Sequence, residues 1–192
     1  MDIGLLVSND GIHFREPIPD FQLISRGTKG SWDRGSLWGV SFHNMADSTY
    51  IYYGALDGGV LDYTTRGAIG LASLPRDRFG YLSLKVPGQT GVLMTSPMVL
   101  GGKVRIFVNG DGLEPGVNIA LGLLDERYQP VPGYSLEESQ PIIASGLRQA
   151  VSWTRGEIVE GLKGKKVVLQ ARLEGKGDKS PRLYAVYVVA AP

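Results

Sequence analysis

The stretch G-S-W-D-R-G-S-L, Gly30 to Leu37, sets three chemically able side chains side by side. Trp32 offers a rigid aromatic face with one N–H, suited to stacking on a sugar ring. Asp33 supplies acceptors and Arg34 a fork of donors, which together match hydroxyl groups. A structural reading stands beside this one: Trp32 is a packing residue, and Asp33 ties down its own loop through backbone N–H groups. His43 falls in an expected strand, where it either faces the same pocket or makes a structural hydrogen bond. The other histidine is His13, and neither has a metal-ligand partner at useful spacing.

Other chemistries find less support. Asp111, Glu114 and Asp125 are loop oxygens of the kind calcium takes, but their spacing matches no known calcium loop. There is no Gly-x-Ser-x-Gly elbow for a serine nucleophile. R-G-T-K-G-S lacks the spacing of a phosphate loop. The chain has no cysteine, which excludes disulfides and thiolate zinc sites. No metal and no cofactor is implied.

The elements that must position these residues read as strands. The 192 residues include 27 Gly and 11 Pro, with glycine at about twice its usual share of roughly 7%. Apolar residues nonetheless make up 43% and alternate in short runs, the composition of many strands joined by tight turns. Strands are expected at 3–8, 12–15, 37–43, 49–55, 67–73, 79–84, 91–99, 103–109, 117–124, 148–154, 166–173 and 182–189. Helical signal is confined to S-L-E-E-S-Q and G-E-I-V-E-G-L. In the first, Ser135 and Glu138 have capping-box spacing. The net charge of +1 provides no basic footprint for nucleic acid, and K-G-K-K (163–166) reads as an exposed turn. No run approaches the roughly 18 apolar residues of a membrane span, and Met1-Asp2 is not a signal-peptide start.

I-G-L-L-V-S-N-D-G-I-H-F (3–14) returns in outline as I-G-L-A-S-L-P-R-D-R-F-G-Y-L-S-L (69–84). A period of about 66 residues with some four strands per unit fits a propeller blade. On this reading 3–15 are the outer strands of one blade and 37–84 the next complete one, about one and a half blades in all. After residue 85 the repeat is lost. The expected architecture is therefore all-β: partial propeller blades over 1–85, then a jelly-roll-type β-sandwich over 86–192. Its aromatics, Tyr128, Tyr134, Trp153, Tyr184 and Tyr187, are possible platforms. Val151 and Trp153 share a strand face, which favours a core role for Trp153.

Several motifs carry a resemblance. S-N-D-G-I-H-F, G-S-W-D-R-G, I-Y-Y-G and G-L-A-S-L-P-R-D-R-F resemble the last blades of five-bladed propeller glycoside hydrolases related to the β-fructosidase (invertase and levanase-like) group. P-V-P-G-Y-S-L-E-E-S, V-S-W, L-K-G-K-K-V-V-L-Q-A-R-L and R-L-Y-A-V-Y-V are similar to the β-sandwich that follows that propeller. S-N-D-G-I-H-F also looks like the Asp-box hairpin of sialidase-type propellers, in which Asp10 satisfies turn N–H groups and Phe14 anchors the hairpin in the core. The resemblance implies the C-terminal region of a longer, carbohydrate-acting enzyme, extracellular or periplasmic. It implies a pocket rimmed by Trp32, Asp33 and Arg34, with His43 nearby. The family's catalytic carboxylates come from earlier blades, and no residue here matches them, so no catalytic residue is assigned. Two alternatives remain open. One is a saccharide-binding sandwich without hydrolysis. The other is a structural domain whose open blade edge pairs with another copy or with missing blades.

Overall fold

The computed structural model describes residues 1–58 and 64–192. Among these the chain is all-β, with several sheets, none of them closed, and no helix. It divides into two compact units, Met1–Arg76 and Asp77–Pro192.

In the first unit, β1 (Ile3–Gly4) pairs with β4 (Gln22–Ile24), and β2 (Val7–Ser8) with β3 (Phe14–Arg15), all antiparallel. The main sheet is an antiparallel meander of β5 (Ser36–Met45), β6 (Ser48–Leu56) and β7 (Gly67–Pro75). The period-2 pattern of β6 explains its place at the centre. Thr49, Ile51, Tyr53 and Ala55 are buried on one face, and residues between them point the other way. A bulge between Trp38 and Ser41 holds Gly39 at a φ of 61°, a left-handed conformation that suits glycine. The core is small: Ile3, Leu37, Tyr53 and Ala55, with Ile24 and Ala72 against it. Met1 C=O accepts the Leu37 N–H at 2.9 Å, which lays the first residue along β5.

The turn of S-N-D-G-I-H-F forms as its residues dictate. Asp10 Oδ1 accepts the N–H groups of Ile12 (2.9 Å) and His13 (2.8 Å), and Ser8 Oγ accepts that of Gly11 at 2.8 Å. His13 Nδ1 lies 2.6 Å from Asp10 Oδ2. This side-chain contact, followed by the two backbone donors, holds the Asp10 carboxyl far below the usual range. Phe14 departs from expectation. It is 59% exposed and stands outside the buried cluster formed by the described residues. The sequence repeat likewise has no structural counterpart. Ile3 is 8% exposed in β1, whereas Ile69 is 80% exposed in β7.

The second unit contains β8 (Thr90–Met94), β9 (Met98–Val99), β10 (Val104–Asp111), β11 (Asn118–Asp125), β12 (Gly146–Ala150), β13 (Ile158–Val159), β14 (Lys166–Glu174) and β15 (Arg182–Ala190). One sheet is centred on β10, with β15 along one edge and β12 and β13 as further partners. The other is centred on β14, with β11, β8 and β9. Val104, Ile106 and Val108 of the first sheet share a core with Leu121, Leu123, Leu169 and Ala171 of the second. The run expected as one strand at 91–99 is broken between β8 and β9. Thr95 fills the gap: its N–H donates to Leu169 C=O (3.0 Å) and its Oγ1 accepts the Leu169 N–H (3.1 Å). Strand β11 is buried almost throughout. The segment 130–142 bonds to its backbone at Leu123 and Ile119, and Leu136 N would lie 2.6 Å from a Cβ at Gly122.

The capping box forms without a helix. Ser135 Oγ accepts the Glu138 N–H, and Glu138 Oε2 accepts from Ser135 N, Ser135 Oγ and Gly133 N. These donors, Ser135 first, lower the Glu138 pKa.

Residues 79–84, expected as the outer strand of a blade, form no strand of their own. Leu82 instead exchanges two backbone hydrogen bonds of 2.9 Å with Leu183, next to which Ser83 Oγ donates to Pro181 C=O. Arg78 anchors the same segment. Its Nε donates to Asn109 Oδ1 at 3.0 Å, and Asn109 is fully buried. The segment is thus part of the second unit, although the sequence suggested a division after residue 85.

Candidate functional site

The first unit carries an open cleft of about 460 Å³ lined by Lys29, Ser31, Trp32, Arg34, Asp57 and Arg66 together with Gly30, Gly67 and Ala68. Its walls are the loop entering β5 and the ends of β6 and β7. Glycine makes their approach possible: a Cβ on Gly35 would overlap the backbone of Gly58. Gly35 N–H donates to Leu56 C=O at 2.8 Å, and Arg34 Nε to Asp57 C=O at 2.6 Å. Asp57 and Arg66 face each other across the hairpin. Asp57 N–H donates to Arg66 C=O (3.1 Å), and Asp57 Oδ1 accepts the Arg66 N–H (2.8 Å).

Trp32 is 43% exposed and stacks on Tyr53, with ring centroids 6.1 Å apart and planes 19° from parallel. Tyr53 is buried, and its ring lies where a Cβ of Gly70 would stand. Trp32 therefore rests on a ring that itself rests on the β7 backbone. Among the described residues the cleft offers a supported aromatic face, cations from Lys29, Arg34 and Arg66, and a carboxylate from Asp57. That set can stack on a ring and bond its hydroxyl groups.

Of the four residues singled out in the sequence, Trp32 and Arg34 meet at this cleft. Asp33 does not line it. Its carboxylate accepts from Ser31 Oγ and lies against Gly27, holding its own loop through a side chain rather than through backbone N–H groups. His43 lies outside the cleft as well, exposed near the far end of β5 and paired with Tyr50. Tyr53, Asp57 and Arg66 were missed. An Asp and an Arg flanking a glycine-rich hairpin, in G-A-L-D-G-G and T-T-R-G-A, were the available signal.

The remaining candidates are dispersed over the second unit. Trp153 is 3% exposed and donates its Nε1–H to Leu121 C=O at 2.8 Å; Tyr134 meets it edge-on at 5.5 Å. Both are core residues. Tyr128 stands exposed in a turn, and Tyr184 packs edge-on against Tyr81. Asp111 faces Arg78 and Arg182, Glu114 pairs with Lys179 at 2.7 Å, and Asp125 caps its own turn through Arg127 and Gln129 N–H groups. Among the described residues no group of three acidic or histidine side chains comes together for a metal, and no helix is long and apolar enough to cross a membrane. No family model matches the chain, and neither a curated protein nor a solved structure matches it.

Proposed function

We propose that the chain is the C-terminal region of a carbohydrate-acting protein and that its own part is to hold saccharide at the Trp32 cleft, not to cleave it. On this reading the meander of the first unit belongs to a propeller blade, and the second unit is a jelly-roll-type sandwich. The observation that carries the proposal is the half-exposed Trp32 seated on Tyr53, with guanidinium and carboxylate groups beside it. Glycoside hydrolysis needs two carboxyl groups flanking one bond. Among the described residues lining the cleft, the one carboxyl group is that of Asp57, which accepts the Arg66 N–H.

A glycan-array screen of the whole chain tests this, with the same glycans checked for cleavage. Binding without cleavage is expected, and Trp32→Ala should weaken it tenfold or more, about 1.4 kcal/mol. Cleavage would overturn the non-catalytic part, and absence of binding the whole reading. A second reading, association of copies through the first unit, is favoured by one observation. Trp38, Tyr52, Ile69 and Leu71 share the outer face of the meander and are all exposed.

A further inference from the structure

A second cleft, also of about 460 Å³, opens in the other unit, beside the turn that follows β13. Its floor is apolar. Val131, Tyr134 and Leu162 are buried beneath it. Its rim is cationic, with Lys103, Arg155 and Lys163 set against the single carboxylate of Glu160. Lys103 is already taken, since its Nζ lies 3.4 Å from Glu160 Oε2. That leaves two cations.

Arg155 is the more informative of them. Its guanidinium carbon stands 5.6 Å from the centre of the Tyr134 ring, and its stem lies across Gly133, where any Cβ would overlap it. The guanidinium makes no hydrogen bond among the described residues. Glu138, whose charge it feels, is occupied with Gly133 and Ser135 donors. A planar fork of N–H donors, held in place and unspent, matches a carboxylate in two-point contact.

The walls are preformed. Tyr134 OH donates to Ile158 C=O (3.2 Å) and accepts the Glu160 N–H (3.1 Å). Gly164 N–H donates to Leu100 C=O at 2.8 Å and Lys165 N–H to Leu162 C=O at 3.0 Å, which fixes the turn carrying Lys163. A fixed site loses less on ordering when it binds, and its volume falls in the range of small-molecule pockets.

We propose that this cleft is a second ligand site and that it takes a carboxylate-bearing sugar of single-residue size, a uronate. The carboxylate lies between Arg155 and Lys163, and the ring's C–H face covers the apolar floor. The requirement for an anion follows from the cleft alone, whereas the choice of a sugar rests on the carbohydrate reading above.

The test is a titration of the whole chain, followed by backbone amide resonances, with glucuronate, its methyl ester, glucose and acetate. Glucuronate should give saturable shifts at Gly133, Gly161 and Lys163. The ester and glucose should give none there, and acetate a response at least tenfold weaker. Arg155→Gln and Lys163→Gln should each weaken glucuronate about tenfold, with amide spectra elsewhere unchanged to show that the fold persists. Three results would overturn the proposal: no saturable shift, an equal response to ester or glucose, or affinity untouched by both substitutions. Acetate binding as well as glucuronate would overturn the sugar. Glucuronate binding in a chain whose Trp32 cleft takes no glycan would uphold this site and overturn only the reading of the first.

Discussion

Trp32 is useful as a platform only because of what lies under it. Tyr53 occupies the space of an absent Cβ at Gly70, so the stack of Trp32, Tyr53 and β7 backbone is fixed by one missing methyl group. Gly70→Ala should tilt Tyr53 and destabilise the first unit by roughly 1–3 kcal/mol, as overpacking does. It should also change the emission of Trp32 and weaken glycan binding, without a substitution at any residue lining the cleft. Unchanged thermal unfolding and fluorescence would show that Tyr53 has room the geometry denies it. At this scale the sequence was partly legible. Trp32 and Arg34 were readable because G-S-W-D-R-G places chemistry in consecutive positions. Asp57 and Arg66 were not, because they meet only across a hairpin, through strand register that no local pattern states. Asp33 looked like a ligand and turned inward, since Ser31 two residues away supplies a nearer donor.

At the scale of elements, the segment from Asp77 to Lys85 is the instructive one. F-G-Y-L-S-L has the alternation of a strand and sits where a blade would need its fourth, yet its partner is the backbone at Leu183. Alternation declares that a face is buried; it does not say against what. Strands β10, β14 and β15 were readable to within a residue or two, because each is long and carries runs of β-branched, aromatic and other apolar residues. The break between β8 and β9 was not, because Thr95 bridges it with both its backbone and its hydroxyl. A fragment of residues 77–192 should therefore be more stable than one of 86–192. The shorter one loses the Leu82 and Ser83 bonds and the charged hydrogen bond that Arg78 donates to the buried Asn109 Oδ1, the last worth about 1.5–3 kcal/mol. Equal denaturation midpoints would place the segment outside the unit energetically.

For the whole molecule, the two cores are of very different size. Among the described residues the first unit buries four apolar side chains in one cluster, and the second about five times as many. The first also exposes Trp38, Tyr52, Ile69 and Leu71 together. A protein with so thin a core and so apolar a face should self-associate. Light scattering should give a mass above the 20.7 kDa of one chain, and Ile69→Lys with Leu71→Lys should return it to the monomer. A monomer at high concentration would count against association. All-β character was evident from glycine content and alternation. The assembly of strands into separate sheets was not, because pairing partners lie far apart in the chain.

That distance has a consequence during synthesis. Strand β10 is the centre of its sheet, and its longest partner is β15, which ends at Ala190, some eighty residues later. Until those last residues emerge from the ribosome, β10 must wait with its edge open and Val104, Ile106 and Val108 without a finished core. The unit thus cannot close until β15 is out of the ribosome. A ribosome stalled just before the β15 codons holds a unit that has β8 to β14 and lacks the strand that closes it.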